Sequence, residues 1–457
     1  MKRARKNSAP GTDQGDTPQK SAKLDGSQAT VADPPPPGCK DAAEDKICFI
    51  DRLPDHLVVR IFQELGKLSD IAFILPQVCK RWKELVLHEN IWRNVSLSYG
   101  SFMSEARKNT FFKYLGMAPK LGGLTFELDY KDGRNDFSKR LIKKCPGEVS
   151  VLHFIYDNFP PHALFTLLEK YKHCIEKLII CDTYTPYVDE DVKHLWKNIM
   201  NLTKLKHLVV DGAALFYHKA TMRKAAPCWK TLNILDVKDC SYENMHTVQK
   251  LISVHSNWVE VYLATTTSSI FRGEVKALAK CMDLETVQFP FCREFKFLEK
   301  CEKLDSIVID CVKETSTEVN AVIPSLSKKS VFPLLKTVKV IGGSSEYVPL
   351  LRSLFEIREI TLLNLVAFEG SSENLTAILK ETKYLKSLYL HEMSVQCVSA
   401  VVNSIIDNNL PKLEDLNMFE CYCDEKTKLC LKLVVNELKE HSKVKVTADS
   451  TACSCKF

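Results

Sequence analysis

A short apolar pattern, L-x-x-L-x-L, returns at intervals of 20 to 31 residues between Leu121 and Leu413. It reads LGGLTF at Leu121, VSVLHF at Val149, IEKLII at Ile175, LKHLVV at Leu205, LNILDV at Leu232 and WVEVYL at Trp258. LETVQF at Leu284, LDSIVI at Leu304, LKTVKV at Leu335, IREITL at Ile357, LKSLYL at Leu385 and LEDLNM at Leu413 continue the series. WRNVSL at Trp92 and HSKVKV at His441 fit loosely as end caps. Within each unit the alternation is that of a strand. Between units the period becomes helical: PHALFTLLEKYKHC sets Leu164, Leu167, Leu168 and Tyr171 on one face, and MHTVQKLISVHS does the same with Val248, Leu251 and Ile252. One strand–helix unit cannot bury its own apolar face and must stack on its neighbours. A doubly wound sheet would need strands apolar on both faces, whereas several of these alternate with polar residues. The pattern therefore predicts an α/β solenoid, a horseshoe with parallel strands on the concave side and helices on the convex side.

The units at Leu232, Leu284 and Leu413 extend to L-x-x-L-x-L-x-x-C, ending in Cys240, Cys292 and Cys421. This form resembles the leucine-rich repeats that often follow an F-box, and about 12–13 repeats would fill residues 98–457. The fourth and sixth residues of each unit should face the core, and the third, fifth and seventh the concave surface. Basic residues at those concave positions are Lys177, Lys238 and Lys339. Acidic ones are Glu127, Asp211, Asp236, Glu260, Asp310, Glu359 and Asp415, so the face carries net negative charge although the chain is +6 overall. Val151, Ile155, Ile179, Val209, Tyr262, Tyr389 and Phe419 add apolar and aromatic surface. A nucleic-acid surface would be lined with Lys and Arg, so the face suits a protein target. Asp236, Glu260, Tyr262, Tyr389 and Phe419 are the candidate contacts, the rings as anchors.

Ahead of the repeats, LPDHLVVRIFQEL from Leu53 places Leu57, Ile61 and Leu65 on one line of a helix, with Val58 and Phe62 beside it. Pro54 suits the first helical position. Asp70 could cap a second helix through Ile71 and Ile74, and a third should run from Val78 to Leu87. Pro76 falls late in the second helix, where it disturbs regular geometry. The run LPDHLVVRIFQEL…VCKRWKEL…IWRNVSL resembles an F-box, here residues 47–97. That resemblance implies that Leu53, Pro54, Leu57, Val58, Ile61, Phe62, Leu65, Val78, Cys79 and Trp82 dock a Skp-type adaptor. Through it the chain would join a cullin–RING ubiquitin ligase and present a protein target for ubiquitination and degradation. A leucine-rich-repeat scaffold or ligand receptor working without a ligase is the alternative.

Residues 1–46 are dominated by Lys, Asp, Ser, Gly and Pro and end in ADPPPPGCKDAAEDK, with a run of four prolines. This composition predicts a disordered tail, and its MKRARK start suits nuclear import or mere solvation. No apolar run approaches the roughly 20 residues of a membrane span, so the expected setting is cytoplasm or nucleus, with the 18 cysteines as reduced thiols. Neither membrane nor nucleic acid is an expected partner. No phosphate loop, H-E-x-x-H or G-x-S-x-G occurs, so the chain reads as non-catalytic and without cofactor. The C-terminal Cys421, Cys423, Cys430, Cys453 and Cys455 are poorly spaced for zinc, so no metal site is expected.

Overall fold

The structure is a computed structural model. It describes residues 49–65, 68–128, 134–155, 159–181, 189–211, 230–238, 248–249, 251–253, 255–264, 275–290, 298, 300–310, 332–343, 345–422 and 431–448. The N-terminal tail, the MKRARK cluster, Cys240, Cys292 and the last four of the C-terminal cysteines lie outside the described residues. Met1–Leu53 and Pro54–Phe457 are two units. The described part of the first is a 3₁₀ turn, Phe49–Arg52, closed by Leu53 N–H donating to the Ile50 carbonyl at 3.2 Å.

The second unit opens with α1, Asp55–Glu64, directly after Pro54, which takes the cap position with φ −58° and not the first helical position. Val58, Val59 and Phe62 form the buried side of α1. Trp82 meets Phe62 edge-on at 5.0 Å between ring centroids, and Arg81 Nη2 reaches Asp55 Oδ1 at 2.7 Å. The expected second helix divides into a π-helical turn at Asp70–Ile74 and α2 at Leu75–Val78. Pro76 supplies the reason: it has no N–H for the carbonyl four residues back, so the turn before it widens. Cys79 is extended, φ −159°, and its Sγ accepts from Trp82 N–H, so the next helix, α3, starts at Lys80 and ends at Leu85. α4, Glu89–Trp92, follows. Trp92 is fully buried, its Nε1–H donating to the Val86 carbonyl at 2.7 Å.

Fourteen parallel strands follow in chain order within one sheet. They are β1 Ser96–Gly100, β2 Lys120–Glu127, β3 Glu148–Ile155, β4 Lys177–Cys181, β5 His207–Asp211, β6 Ile234–Lys238 and β7 Glu260–Leu263. β8 Thr286–Pro290, β9 Ser306–Asp310, β10 Thr337–Ile341, β11 Leu362–Val366, β12 Ser387–His391, β13 Asp415–Phe419 and β14 Lys445–Ala448 complete it. Described helices between them are α5 Glu105–Met117, α6 Arg134–Lys144, α7 Pro161–Lys170, α8 Asp189–Met200, α9 Val348–Ile357, α10 Ser372–Lys380, α11 Val395–Ile406 and α12 Leu431–His441. Leu164, Leu167, Leu168 and Tyr171 are buried, as are Val248, Leu251 and Ile252. Strictly sequential parallel pairing with helices between strands is the leucine-rich-repeat solenoid.

The strand register agrees with the sequence pattern in eleven units: Leu235 and Val237, for example, have no exposed surface and align with Leu208 and Val210 of β5. The unit assigned at Ile357 is wrong by three residues. Val338 pairs with Leu363, so this repeat begins at Ile360, with Leu363 and Leu365 in the core. An odd shift exchanges the two faces of a strand, so Glu359 precedes β11 and leaves the concave inventory. The corrected start lies midway between Leu335 and Leu385. Both end caps shift by two residues, since Leu97 pairs with Leu124 and Val446 with Leu416. That even shift keeps their faces.

The first repeat is tied closely to the helices before it. Gly122 and Gly123 N–H both donate to the Val95 carbonyl, at 2.9 and 3.2 Å. A Cβ on Gly122 would stand 2.5 Å from the Arg93 carbonyl oxygen, so only glycine lets β2 approach this backbone. Along the start of the strands, Lys120–Glu148, Lys206–Glu176 and Lys386–Glu414 pairs bridge adjacent repeats at 2.6, 2.8 and 3.8 Å.

Candidate functional site

Two surfaces bring the sequence-selected residues together. On α1, Leu57, Ile61 and Leu65 lie on successive turns and remain 38%, 38% and 45% exposed. Ile74 and Val78, one turn apart, are more than half exposed. Pro54 and Cys79 are also exposed, and Trp82 is half-buried, as is Leu53, the last residue of the first unit. Val58 and Phe62 depart from the expectation: they face inward and form the small domain's core with Val59, Ile71, Leu85 and Trp92. One α1 stripe thus serves two purposes. Its i, i+4, i+8 line faces water, and the adjoining line closes the interior. Sequence reasoning passed over Ile74, because the π turn that rotates it outward is invisible to a search for a regular period.

The second surface is the outward row of the strands. Lys177, Glu127, Glu260, Tyr262, Tyr389 and Asp415 are half-buried there, Lys238 and Phe419 are exposed, and Val209 is buried despite its outward position. Asp211 and Asp310 occupy the last positions of β5 and β9. Asp236 is less open than the pattern suggests. Its side chain is 15% exposed, one oxygen reaches Lys238 Nζ at 2.9 Å, and Oδ1 is buried without a hydrogen bond. Burial raises its pKa, against the opposing effect of Lys238. Val209 and Tyr262 flank it in register, and these neighbours keep water from the carboxylate. Tyr262 donates its hydroxyl to Glu260 Oε2 at 2.8 Å, which fixes the ring, and burial followed by that carboxylate pushes its pKa up. His207 holds to about 4, first through burial and then through Lys177 and Lys238. It is therefore neutral at physiological pH and adds no charge to the face.

Four of the eight described cysteines are buried, Cys281, Cys301, Cys397 and Cys421, and burial pushes Cys281 up to about 12 and Cys301 up to about 11. The Cys281 and Cys301 thiols therefore stay protonated and unreactive. Cys145, Cys174 and Cys181 are half-buried, and Cys79 is exposed. Among the described residues no helix is long and apolar enough to cross a membrane.

Residues 50–98 match the F-box-like family. The chain joins an F-box-like domain to a leucine-rich-repeat solenoid. This F-box-like segment covers α1 to α4 and most of β1, so its last strand is also the first strand of the repeat sheet. Among solved structures, the leucine-rich repeat-containing protein LegL7 from Legionella pneumophila is 11% identical, over 77% of this chain and 99% of its own, with a TM-score of 0.37. The Rad7 and Elc1 complex in yeast provides a chain 13% identical, over 87% of this chain and 93% of its own, with a TM-score of 0.40. A comparison with curated proteins found no match.

Proposed function

We propose that the chain is the substrate-recognition subunit of a Skp–cullin–F-box ubiquitin ligase. In this reading the F-box-like domain docks a Skp-type adaptor, and through it a cullin–RING ligase. The repeat face holds a target protein for ubiquitination. The observation that carries the proposal is the outward apolar line. Val58, Val59 and Phe62 already fill the buried side of α1, yet five of the fifteen exposed large apolar side chains among the described residues are Leu57, Ile61, Leu65, Ile74 and Val78. Water-exposed leucine and isoleucine one helical turn apart form the kind of stripe that a partner helix covers. The subunit contributes position and not chemistry: tethering raises the local concentration of target lysines beside the conjugating enzyme. The site of action would be cytoplasm, nucleus or both.

Co-purification of the full chain from cells tests this. Retention of a Skp-type adaptor together with a cullin supports the ligase reading. A chain that retains neither while binding other proteins through its repeats is a free scaffold, and the proposal fails.

A further inference from the structure

The first helices of the repeat domain differ in charge from the last. α5, α6 and α7 carry nine basic residues against three acidic ones, whereas α9 to α12 carry four of each. Two of those three acids, Glu105 and Glu169, already pair with Lys108 and Lys172. α6 lies beside α5, and the contact between them orders the surplus cations. Arg140 Nη2 donates to Asn109 Oδ1 at 2.8 Å, and its guanidinium covers the Phe112 ring at 4.2 Å. Lys144 lies across Gly116, where a Cβ would stand 3.3 Å from Lys144 Cδ and 3.6 Å from its Nζ. Asn109, Lys113 and Gly116 share one side of α5, so Lys113 belongs to the same strip, its Nζ 4.0 Å from the centre of the Phe73 ring. Lys139 and Lys143, one turn apart on α6, are exposed. Among the described residues no carboxylate pairs with Lys113, Lys139, Arg140, Lys143 or Lys144. Like charges one turn apart, Lys139 with Lys143 and Arg140 with Lys144, destabilise a helix, and a glycine inside α5 does the same. The helix dipole favours Lys143 and Lys144 in the last turn of α6, but it does nothing for the other three. On the later helices the corresponding charge is neutralised across repeats, as Arg352 is by Glu381 at 3.0 Å.

We propose that the α5–α6 strip binds the phosphate backbone of a nucleic acid, independently of base sequence. A polyanion is the partner that five cations on one helical surface, none paired with a carboxylate, complement. A protein partner needs apolar anchors at the centre of its interface. None of the fifteen exposed large apolar side chains among the described residues lies on α5, α6 or α7. Phosphate contacts need only cations and hydrogen-bond donors. Phe112, the ring beside Arg140, is buried and offers no base a stacking face. The whole-chain charge conceals this surface, because the surplus of these three helices alone, nine minus three, equals the +6 of the entire chain. The inference does not depend on the ligase reading.

Fluorescence anisotropy of the full chain tests this with labelled DNA and RNA duplexes of about 20 base pairs, at salt from about 50 to 300 mM. The logarithm of affinity should fall with the logarithm of salt with a slope of about −4, as contact with four or five phosphates requires. The Lys139→Gln/Lys143→Gln/Lys144→Gln variant should bind at least about tenfold more weakly at the lowest salt, and its slope should be shallower by about 3. Lys143→Gln alone should already lower the slope by about 1, which keeps the test open if the triple variant folds poorly by circular dichroism. Lys380→Gln/Lys383→Gln/Lys439→Gln removes the same charge from exposed positions in the later repeats and should bind as wild type does. Either duplex meeting these terms supports the proposal, and a preference for one of them names the source of the phosphates. It is overturned if neither duplex binds at the lowest salt, if the α6 variants keep the wild-type slope, or if the control variant loses as much. Tighter binding to polyglutamate, or to vesicles containing phosphatidylserine, than to either duplex would assign the strip to an acidic protein or a membrane and overturn it as well.

Discussion

Replacing Leu363 by alanine should destabilise the repeat domain by about 3 kcal/mol, and replacing its neighbour Leu362 by only about 1 kcal/mol. Leu363 has no exposed surface and aligns with Val338 and Leu388, which have none either. Truncation there loses the transfer energy of a buried side chain and leaves a cavity that two packed neighbours cannot close. Leu362 points the other way and is only half-buried, so water refills the space. The repeat pattern read as IREITL requires the opposite order, which makes the pair a direct test of register. Urea unfolding gives the free-energy difference. Hydrogen exchange at β10 to β12 localises it, since solenoids lose stability mainly at the altered repeat and its neighbours. Equal losses, or a larger loss for Leu362→Ala, would refute the assignment of β11.

Three further outcomes follow from particular contacts. Asp236→Asn should leave stability unchanged or raise it by up to about 1 kcal/mol in thermal melts near neutral pH, because it removes a half-desolvated charge. A raised carboxyl pKa makes the folded state hold its proton longer, so the native contribution of Asp236 declines as pH rises from 3.8 through the folded pKa, and the variant should flatten that interval. His207 has the reverse sign: its pKa falls from 6.5 to about 4, so its stabilising contribution is complete above 6.5 and is lost as pH drops towards 4. An NMR titration of its ring should show no protonation between pH 8 and 6, and a midpoint near 6.5 would contradict the burial. Gly122→Ala should weaken the junction between α4 and β2 by roughly 2 kcal/mol or more, since its Cβ would press on the Arg93 carbonyl oxygen at 2.5 Å. Limited proteolysis near residues 93–96 should then accelerate, and an unchanged cleavage rate would count against the close approach.

The solenoid was legible because its signal is redundant: alternation within each strand, helical spacing between strands, and a recurring interval all point to one architecture. Where the interval was irregular, around Ile357, two adjacent leucines, Leu362 and Leu363, with Ile360 and Leu365 on either side, allowed two frames, and only pairing with β10 and β12 separates them. The F-box-like segment was recognisable from residue identity, but not which side of α1 is internal. Leu57 and Val58 are adjacent and equally apolar, and the choice is made by Phe62 meeting Trp82. The concave inventory included Glu359, which the register of β11 removes, and it overstated the openness of Asp236. A carboxylate between Val209 and Tyr262 is shielded by side chains from other repeats, which a strand-by-strand reading does not weigh.

The affinity of the full chain for a purified Skp-type adaptor, by isothermal titration calorimetry, tests the central claim most directly. The comparison is wild type against Leu57→Asp/Ile61→Asp, two outward positions whose substitution leaves Val58, Phe62 and the core untouched. Burying these two side chains in an interface is worth about 3 kcal/mol together, so the variant should bind at least about a hundredfold more weakly with unchanged circular dichroism. Wild-type protein that fails to bind the adaptor, or a variant that binds as tightly as wild type, would contradict the assignment of this face.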